Sequence, residues 1–312
     1  MISPHPPNWV PAGQWRHAYD GVQLPPLNYA TGNIGELPYQ TRMLLGLLGK
    51  EHDDPPAFPQ GVPNMSYIDA PTGYGTTTSR YDYYNQAAFV DSKLGEMMAF
   101  LDRKGLADNT LVIFASDHGS ELYDHGINND KHNFLDASWR IPLILRLPHR
   151  VPKGETRSFA TTLDITATIA AAAGAPIPIG WQGFDLLGPL SQGHDSPRKV
   201  GIGTEYRAHA VVTPSWKLSY FPEQGEGRLW DRKKDPAEQH DLFNSAEHAE
   251  VKNGLLTALL RWRAQQDPLQ WLQAISKPGA QTATLAYNHT KSLRGIDAEL
   301  RLQEDALRFE PN

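Results

Sequence analysis

The segment Val112-Ile-Phe-Ala-Ser-Asp-His-Gly119 decides the predicted fold of this 312-residue chain. Its β-branched and apolar residues predict a short strand, and the lack of polar alternation indicates that both faces of the strand are covered. Asp117 and His118 follow at the point where the strand ends, and a glycine comes directly after them. In open α/β sheets, ligands bind just beyond the carboxyl ends of the strands. The pattern therefore predicts a functional site at the end of a central strand.

Helices and strands alternate around this segment. The predicted elements are a helix over 83–104, strands over 110–116 and 141–147, and a helix over 162–173. This alternation predicts an α/β fold with a mostly parallel central sheet flanked by helices. We expect the two strands to be neighbours in that sheet.

A different pattern begins near residue 196. The predicted elements there are hairpin strands over 208–213 and 216–221, a strand over 228–231 and a helix over 246–266. They indicate a small C-terminal antiparallel sheet with a packed helix. The sequence therefore predicts an α/β domain over 1–195, a small α+β subdomain over 196–275 and a peripheral tail over 276–312.

Composition excludes several classes of function. The net charge of −6 and the absence of a lysine or arginine run argue against a nucleic-acid partner. No apolar run approaches the roughly 20 residues that span a membrane, so we expect no membrane partner. The sequence has no cysteine, which excludes disulfides, thiolate metal sites and a cysteine nucleophile in it. The first residues have neither the basic start nor the apolar stretch of a signal peptide, and the sequence predicts no compartment.

Asp117 and His118 are candidate metal ligands on the residues alone. A carboxylate and an imidazole at one strand tip place oxygen and nitrogen donors close together. A turn or helix-capping role for Asp117 is the alternative that the residues leave open.

An ordered set of short motifs resembles the sulfatase branch of the alkaline-phosphatase-like superfamily. The motifs, in chain order, are Ser3-Pro-His-Pro-Pro7, Ser116-Asp-His-Gly119, Asp124-His-Gly126, Lys131, Arg140-Ile-Pro-Leu-Ile144, Asp164-Ile-Thr-Ala-Thr168, Trp216-Lys-Leu218, Leu229-Trp-Asp231 and Asp235-Pro-Ala-Glu-Gln239. One such motif would be a weak signal, but their shared order over roughly residues 1–265 is specific. The resemblance implies an alkaline-phosphatase-like fold and an enzyme that hydrolyses sulfate monoesters.

The resemblance also implies roles for four residues. Asp117 and His118 become ligands of a divalent metal. Ca²⁺ is expected first, with Mg²⁺ or Mn²⁺ as alternatives because an imidazole is an imperfect Ca²⁺ ligand. Lys131, which stands 11 positions before Pro142 as in similar sulfatases, and His5 become the catalytic and substrate-binding residues. The ammonium would bind a sulfate oxygen, and the imidazole would bind sulfate or protonate the leaving oxygen. On the residues alone, Lys131 would be an ordinary solvated lysine and His5 a loop imidazole.

The nucleophile is the main departure from the family pattern. Sulfatases oxidise a cysteine or serine in a Cys/Ser-x-Pro-x-Arg motif to formylglycine, and neither form of the motif occurs in this sequence. The family's early acidic metal ligands have no counterpart either. The chain begins inside the family's histidine loop, so we expect an N-terminally truncated sulfatase that is inactive alone. Its apolar sheet edge would be free to associate, including with a separate N-terminal half.

Two alternative functions stay open. One is a phosphodiesterase or phosphonate hydrolase of the same superfamily, which its nucleophile and number of metals would distinguish. The other is a non-catalytic remnant or interaction module, which the lost nucleophile favours and the intact Asp117, His118 and Lys131 oppose. For the sulfatase, the expected substrate is a small-molecule or carbohydrate sulfate ester.

Overall fold

The structure is a computed structural model that describes residues 13–26, 80–122, 124–126, 134–178, 181–205 and 208–265. The chain divides into two compact units, Met1–Leu147 and Pro148–Asn312. The helices are α1 (Arg80–Arg103), α2 (Asp136–Trp139), α3 (Thr162–Ala172), α4 (Leu187–Ser191) and α5 (Ala249–Gln265). The strands are β1 (Val112–Ala115), β2 (Leu143–Arg146), β3 (Gly201–Glu205), β4 (Ala208–Val212), β5 (Trp216–Phe221) and β6 (Glu226–Asp231). Short 3₁₀ helices lie at Gln14–His17, Ala107–Asn109, Asp124–Gly126 and Ala246–His248. Within the described ranges, no helix combines the length and apolar character needed to cross a bilayer.

In the first unit, the 3₁₀ helix Gln14–His17 docks on the N-terminal half of α1. The buried side chain of Asn85 donates to the Arg16 carbonyl at 2.7 Å and accepts from the Tyr19 N–H at 3.0 Å. The rings of Trp15 and Phe89 pack edge to face with centroids 6.2 Å apart. Because a buried amide must be hydrogen-bonded, Asn85 fixes the position of this segment on the helix.

β1 and β2 pair with each other, as the sequence predicts, and they run antiparallel. Val112 stands opposite Arg146, and Ala115 stands opposite Leu143. A parallel pair needs a long crossover connection, usually a helix. The described part of the connection holds only a 3₁₀ turn and the four-residue α2. The mostly parallel direction predicted for the central sheet therefore does not apply to this pair.

These two strands are also more open than the sequence predicts. No residue of either strand is fully buried, and Ile144 is 56% exposed. Met97 and Phe100, in the C-terminal half of α1, are likewise exposed. The prediction that the strands are covered on both faces is wrong for the described residues, since every residue of the pair remains at least partly exposed. The resemblance implies an exposed apolar sheet edge, and association through that edge stays a prediction.

The second unit contains the predicted small antiparallel sheet with a packed helix. Its strand order is β3-β4-β5-β6, and every neighbouring pair is antiparallel. Ile202, Val211, Leu218 and Leu229 stand opposite one another and form an apolar row across all four strands. The row packs with apolar side chains of α5 at helical spacing, which are Val251, Leu255, Ala258 and Leu259. The predicted division into 1–195, 196–275 and 276–312 stays a prediction.

Buried ion pairs fix the loops around this sheet. The fully buried carboxylate of Asp164 accepts from Nε and Nη2 of Arg198, each at 2.7 Å. It also accepts from the backbone N–H groups of Thr161 and Phe184 at 2.8 Å. A buried carboxylate is tolerated when its lone pairs are satisfied in this way. Lys217 and Glu238 form a second buried ion pair.

The packing of α5 predicts a large difference between two leucines of the same helix. Leu255 is 3% exposed and lies in the core, whereas Leu260 is 69% exposed. Leu255→Ala should lower the free energy of unfolding by about 2–5 kcal/mol through lost burial and a cavity. The matched variant Leu260→Ala should change it by no more than about 0.5 kcal/mol. Urea unfolding followed by circular dichroism measures both, and equal losses would contradict the packing of α5 on the sheet.

Candidate functional site

β1 ends directly in the candidate site. Strand pairing stops at Ala115, and the next three residues form a turn. The hydroxyl of Ser116 donates to the His118 carbonyl at 2.7 Å, which closes this turn. Such local side-chain bonds replace the ladder where a strand stops. The turn therefore presents Asp117 and His118 at the strand end in a defined conformation.

The polar atoms of Asp117 and His118 lie close together. Oδ1 of Asp117 accepts from the His118 N–H at 2.9 Å and lies 3.4 Å from the Ser116 hydroxyl. Oδ2 of Asp117 stands 3.6 Å from Nε2 of His118. The two side chains are 84% and 37% exposed, respectively. One carboxylate oxygen and one ring nitrogen are thus adjacent and accessible to solvent.

Asp117 is held in its charged form. Burial acts to raise the pKa of this carboxyl, but the hydrogen bond from the His118 N–H and the charge of His118 act against it. Hydrogen bonds from the Asp117 backbone and the Ser116 hydroxyl add to this effect, and the pKa of Asp117 lies below its ordinary value. The side chain is therefore an anion at neutral pH, which is the form that binds a cation.

This donor pair fits two neighbouring positions around a divalent metal. Ligands about 2.4 Å from Ca²⁺ at right angles to each other are about 3.4 Å apart, close to the separation of Asp117 Oδ2 and His118 Nε2. Among the described residues, no group of three or more His, Asp or Glu side chains could hold a metal. Ca²⁺ takes roughly six to eight donors. The pair thus supplies part of a coordination shell, and the metal role stays a prediction.

Gly119 and Ser138 hold the turn from behind, and sequence reasoning gave neither of them a role. The Gly119 N–H donates to the Ser138 carbonyl of α2 at 2.7 Å, and Ser138 is buried. A Cβ at position 119 would collide with the carbonyl oxygen of Ala137 and lie 3.2 Å from the carbonyl carbon. The sequence does show that a glycine directly follows the candidate ligands, which is the local signal for a special backbone position there. Its partner lies 19 positions away along the chain (138 − 119), and no local pattern connects the two.

The loop that follows carries backbone strain at two positions. Leu122 has a φ of 45° and His125 a φ of 52°, a region that residues with side chains adopt infrequently. Glu121 in the same loop is buried, and its carbonyl accepts from the Asp124 N–H at 2.8 Å. Strained backbone persists only where surrounding contacts enforce it, and it is frequent beside functional sites.

The structure brings together two of the four predicted site residues. Asp117 and His118 are adjacent, as described above. His5 and Lys131 lie outside the described residues, so their predicted approach to Asp117 stays a prediction.

Two family models match overlapping parts of the chain. Residues 29–175 match the sulfatase model, and residues 124–265 match the model for the C-terminal part of N-sulphoglucosamine sulphohydrolase. The two matches together run from residue 29 to residue 265 and contain Asp117, His118 and Lys131. These matches support the resemblance to sulfatases that the sequence motifs indicate.

A curated relative of this chain is also a sulfatase. The N-acetylglucosamine-6-O-sulfatase of Bacteroides thetaiotaomicron is 30% identical over 192 residues, which cover 57% of this chain and 34% of that enzyme. The matched part covers 34 to 39% of the first three curated relatives. The chain therefore spans between a third and two fifths of their length.

Two solved structures superpose on this chain. A structure of a protein in complex with its substrate D-glucosamine-2-N,6-O-disulfate superposes with a TM-score of 0.56 and 29% identity. It covers 61% of this chain, and the chain covers 42% of it. The phosphonate monoester hydrolase of Agrobacterium radiobacter superposes with a TM-score of 0.53 and 27% identity, over 60% of this chain and 42% of that enzyme. The alkaline-phosphatase-like fold predicted from the sequence is confirmed.

The absence of cysteine gives a direct test of the predicted clustering of His5 and Lys131. Spin labels on Ser120→Cys together with Lys131→Cys, or together with His5→Cys, should show dipolar broadening of pairs within about 15 Å. That distance is the width of a small-ligand site plus side-chain reach. Each singly labelled protein serves as the control. A pair without broadening would remove the corresponding residue from the predicted site.

Proposed function

We propose that this chain forms the metal-binding part of a sulfuric ester hydrolase. In this proposal, Asp117 and His118 bind a divalent metal, while His5 and Lys131 bind the sulfate group. One observation carries the proposal: an ionised carboxylate and an imidazole stand 3.6 Å apart, open to solvent, at the end of β1. Both residues lie within the segment that matches the sulfatase model.

Each of the four residues has a distinct chemical task in this proposal. A bound divalent metal would polarise the sulfate oxygens and stabilise an anionic nucleophile. Asp117 contributes negative charge to the metal site, and His118 contributes a neutral nitrogen donor. Lys131 binds a sulfate oxygen and offsets negative charge as the sulfur–oxygen bond breaks. His5 binds sulfate or protonates the leaving oxygen. Ca²⁺ is the proposed metal, with Mg²⁺ or Mn²⁺ as alternatives.

The proposed substrate is a small-molecule or carbohydrate sulfate ester. The support comes from the relatives: one is named for an N-acetylglucosamine 6-O-sulfate activity, and one is solved with a disulfated glucosamine. These names describe those proteins, and they make a sulfated sugar the first substrate class to examine for this chain.

A formylglycine nucleophile must come from outside these 312 residues, which contain neither cysteine nor Ser-x-Pro-x-Arg. We propose that a segment carrying this motif completes the site, either joined N-terminally to these residues or as a separate polypeptide. The 312-residue chain alone is then inactive. If no such segment completes the site, the chain is a non-catalytic remnant.

A phosphonate monoester hydrolase is the second candidate function. The similarity to the Agrobacterium radiobacter enzyme, at a TM-score of 0.53 and 27% identity, favours it specifically. A divalent metal bound by the carboxylate and the imidazole would polarise a phosphonate oxygen as well as a sulfate oxygen, since both substrates present tetrahedral anions. Parallel assays on a phosphonate monoester and a sulfate ester with the completed protein distinguish the two functions.

The first functional prediction concerns the chain by itself. It should release no measurable 4-nitrophenol from 4-nitrophenyl sulfate when Ca²⁺, Mg²⁺ or Mn²⁺ is supplied. In other hydrolases, removing the covalent nucleophile costs several powers of ten in turnover, and only binding and electrostatic contributions remain. Robust turnover by the purified chain would contradict the proposal and require a nucleophile among its own residues.

The second functional prediction concerns the chain supplied with a nucleophile-bearing segment, by fusion or co-expression. Turnover should appear, and Asp117→Ala should then abolish it because the metal loses an anionic ligand. Asp108→Ala is the matched control, since Asp108 is exposed in the 3₁₀ helix Ala107–Asn109 and should leave turnover unchanged. If the completed protein stays inactive while folded, the non-catalytic alternative replaces the enzyme.

A further inference from the structure

We infer that the carbonyl of Gly119, held in place by α2, fixes the proton of His118 on Nδ1 and leaves Nε2 free to bind the metal beside Asp117. Gly119 is then a positioning residue that acts through His118. The inference rests on the proposed metal role of His118 and specifies which atom serves it.

The hydrogen bonds of the His118 ring determine its tautomer. Nδ1 lies 2.7 Å from the carbonyl oxygen of Gly119. A carbonyl oxygen can only accept, so Nδ1 must carry the hydrogen in this contact. A neutral imidazole with its hydrogen on Nδ1 has its free lone pair on Nε2. Nε2 is the ring nitrogen that stands 3.6 Å from Oδ2 of Asp117.

The two carboxylate oxygens of Asp117 also have different partners. Oδ1 is occupied by the His118 N–H at 2.9 Å, with the Ser116 hydroxyl at 3.4 Å. Oδ2 is the oxygen nearer to Nε2. The turn thus assigns one oxygen and one nitrogen to internal hydrogen bonds. It leaves the other oxygen and the other nitrogen as an adjacent donor pair.

The Gly119 carbonyl can hold Nδ1 of His118 in place because contacts with α2 fix the position of the Gly119 peptide. The Gly119 N–H donates to the carbonyl of the buried Ser138 at 2.7 Å. The backbone of Ala137 fills the space that a side chain at position 119 would need. The φ of Gly119 is not in the left-handed region, so the close approach of α2 is what requires a glycine here.

Hydrogen-bond partners of this kind set the orientation and tautomer of metal-binding histidines. Their removal typically lowers metal affinity by about 10- to 100-fold. A side chain at position 119 would push the peptide away from α2 and turn the carbonyl from Nδ1. The ring would then be free to place its hydrogen on Nε2, where it blocks the metal.

The test compares Gly119→Ala with Gly95→Ala in the full chain. Gly95 lies on α1, where an added Cβ would meet no atom within 4 Å, so Gly95→Ala tests a glycine-to-alanine change without a collision. Nitrogen-15 NMR of the histidine rings at mildly alkaline pH reports the tautomer, and the signals missing from His118→Gln identify His118. Mn²⁺ titration of the same samples reports binding through paramagnetic broadening of those signals.

The wild-type chain should show His118 with its hydrogen on Nδ1 and broadening by Mn²⁺. Gly119→Ala should shift the ring toward the Nε2–H form and weaken Mn²⁺ binding by about 10- to 100-fold, while Gly95→Ala changes neither. A purely structural role for Gly119 would leave the tautomer unchanged.

Three results would overturn the inference. A wild-type ring with its hydrogen on Nε2 does so without any variant, and therefore decides the matter even if Gly119→Ala does not fold. A folded Gly119→Ala that keeps both the Nδ1–H form and its Mn²⁺ affinity does so as well. Absence of broadening at millimolar Mn²⁺ removes metal binding by this chain alone, and with it the inference as stated for this chain, whereas a wrong tautomer with intact broadening removes only the inference about Gly119.

Discussion

The end of β1 can hold Asp117 and His118 in a fixed arrangement because residue 119 has no side chain. Its N–H reaches the Ser138 carbonyl at 2.7 Å, and the Ala137 backbone occupies the space beside it. A helix as short as α2 is unstable by itself, so contacts with its surroundings must hold it. The strand end and α2 therefore stabilise each other, and the geometry of the donor pair follows from that contact.

Two aspartates of this chain have different roles because their surroundings differ. Asp164 is completely buried, and its oxygens are satisfied by Arg198 and by backbone N–H groups. Asp117 has a lowered pKa from local hydrogen bonds, but one of its oxygens remains open to solvent near His118. The first carboxylate fixes the start of α3. The second has its charge available for a ligand, which is why the proposed function rests on it.

The open strand pair of the first unit and the proposed function both require a further polypeptide segment. A two-stranded sheet is marginally stable in water unless other strands or helices cover it. Here Ile144, Met97 and Phe100 are exposed, and the chain spans little more than a third of the length of its first curated relatives. We propose that the segment that supplies the nucleophile also covers this apolar surface. One additional polypeptide segment would then meet both needs.

Local sequence signals determined the type and approximate bounds of most elements. The glycines that end α1 and α3, Gly105 and Gly174, have φ values of 67° and 70°, which only their missing side chains make easy. The hairpin of β4 and β5 and the long helix α5 follow from hydrophobic periodicity, which a chain carries in its local order. β3 was missed because its two glycines in five residues weaken the strand signal.

The sequence by itself also identified Asp117 and His118, because a strand that ends in two polar donors is a local pattern. The tertiary structure alone decided the antiparallel direction of β1 and β2, the openness of that pair, and the contact between Gly119 and Ser138. Each of these depends on groups far apart in the chain that meet only after folding. Periodicity and motif spacing describe neighbours along the chain, so they carry no information about which backbone carbonyl will lie behind a glycine.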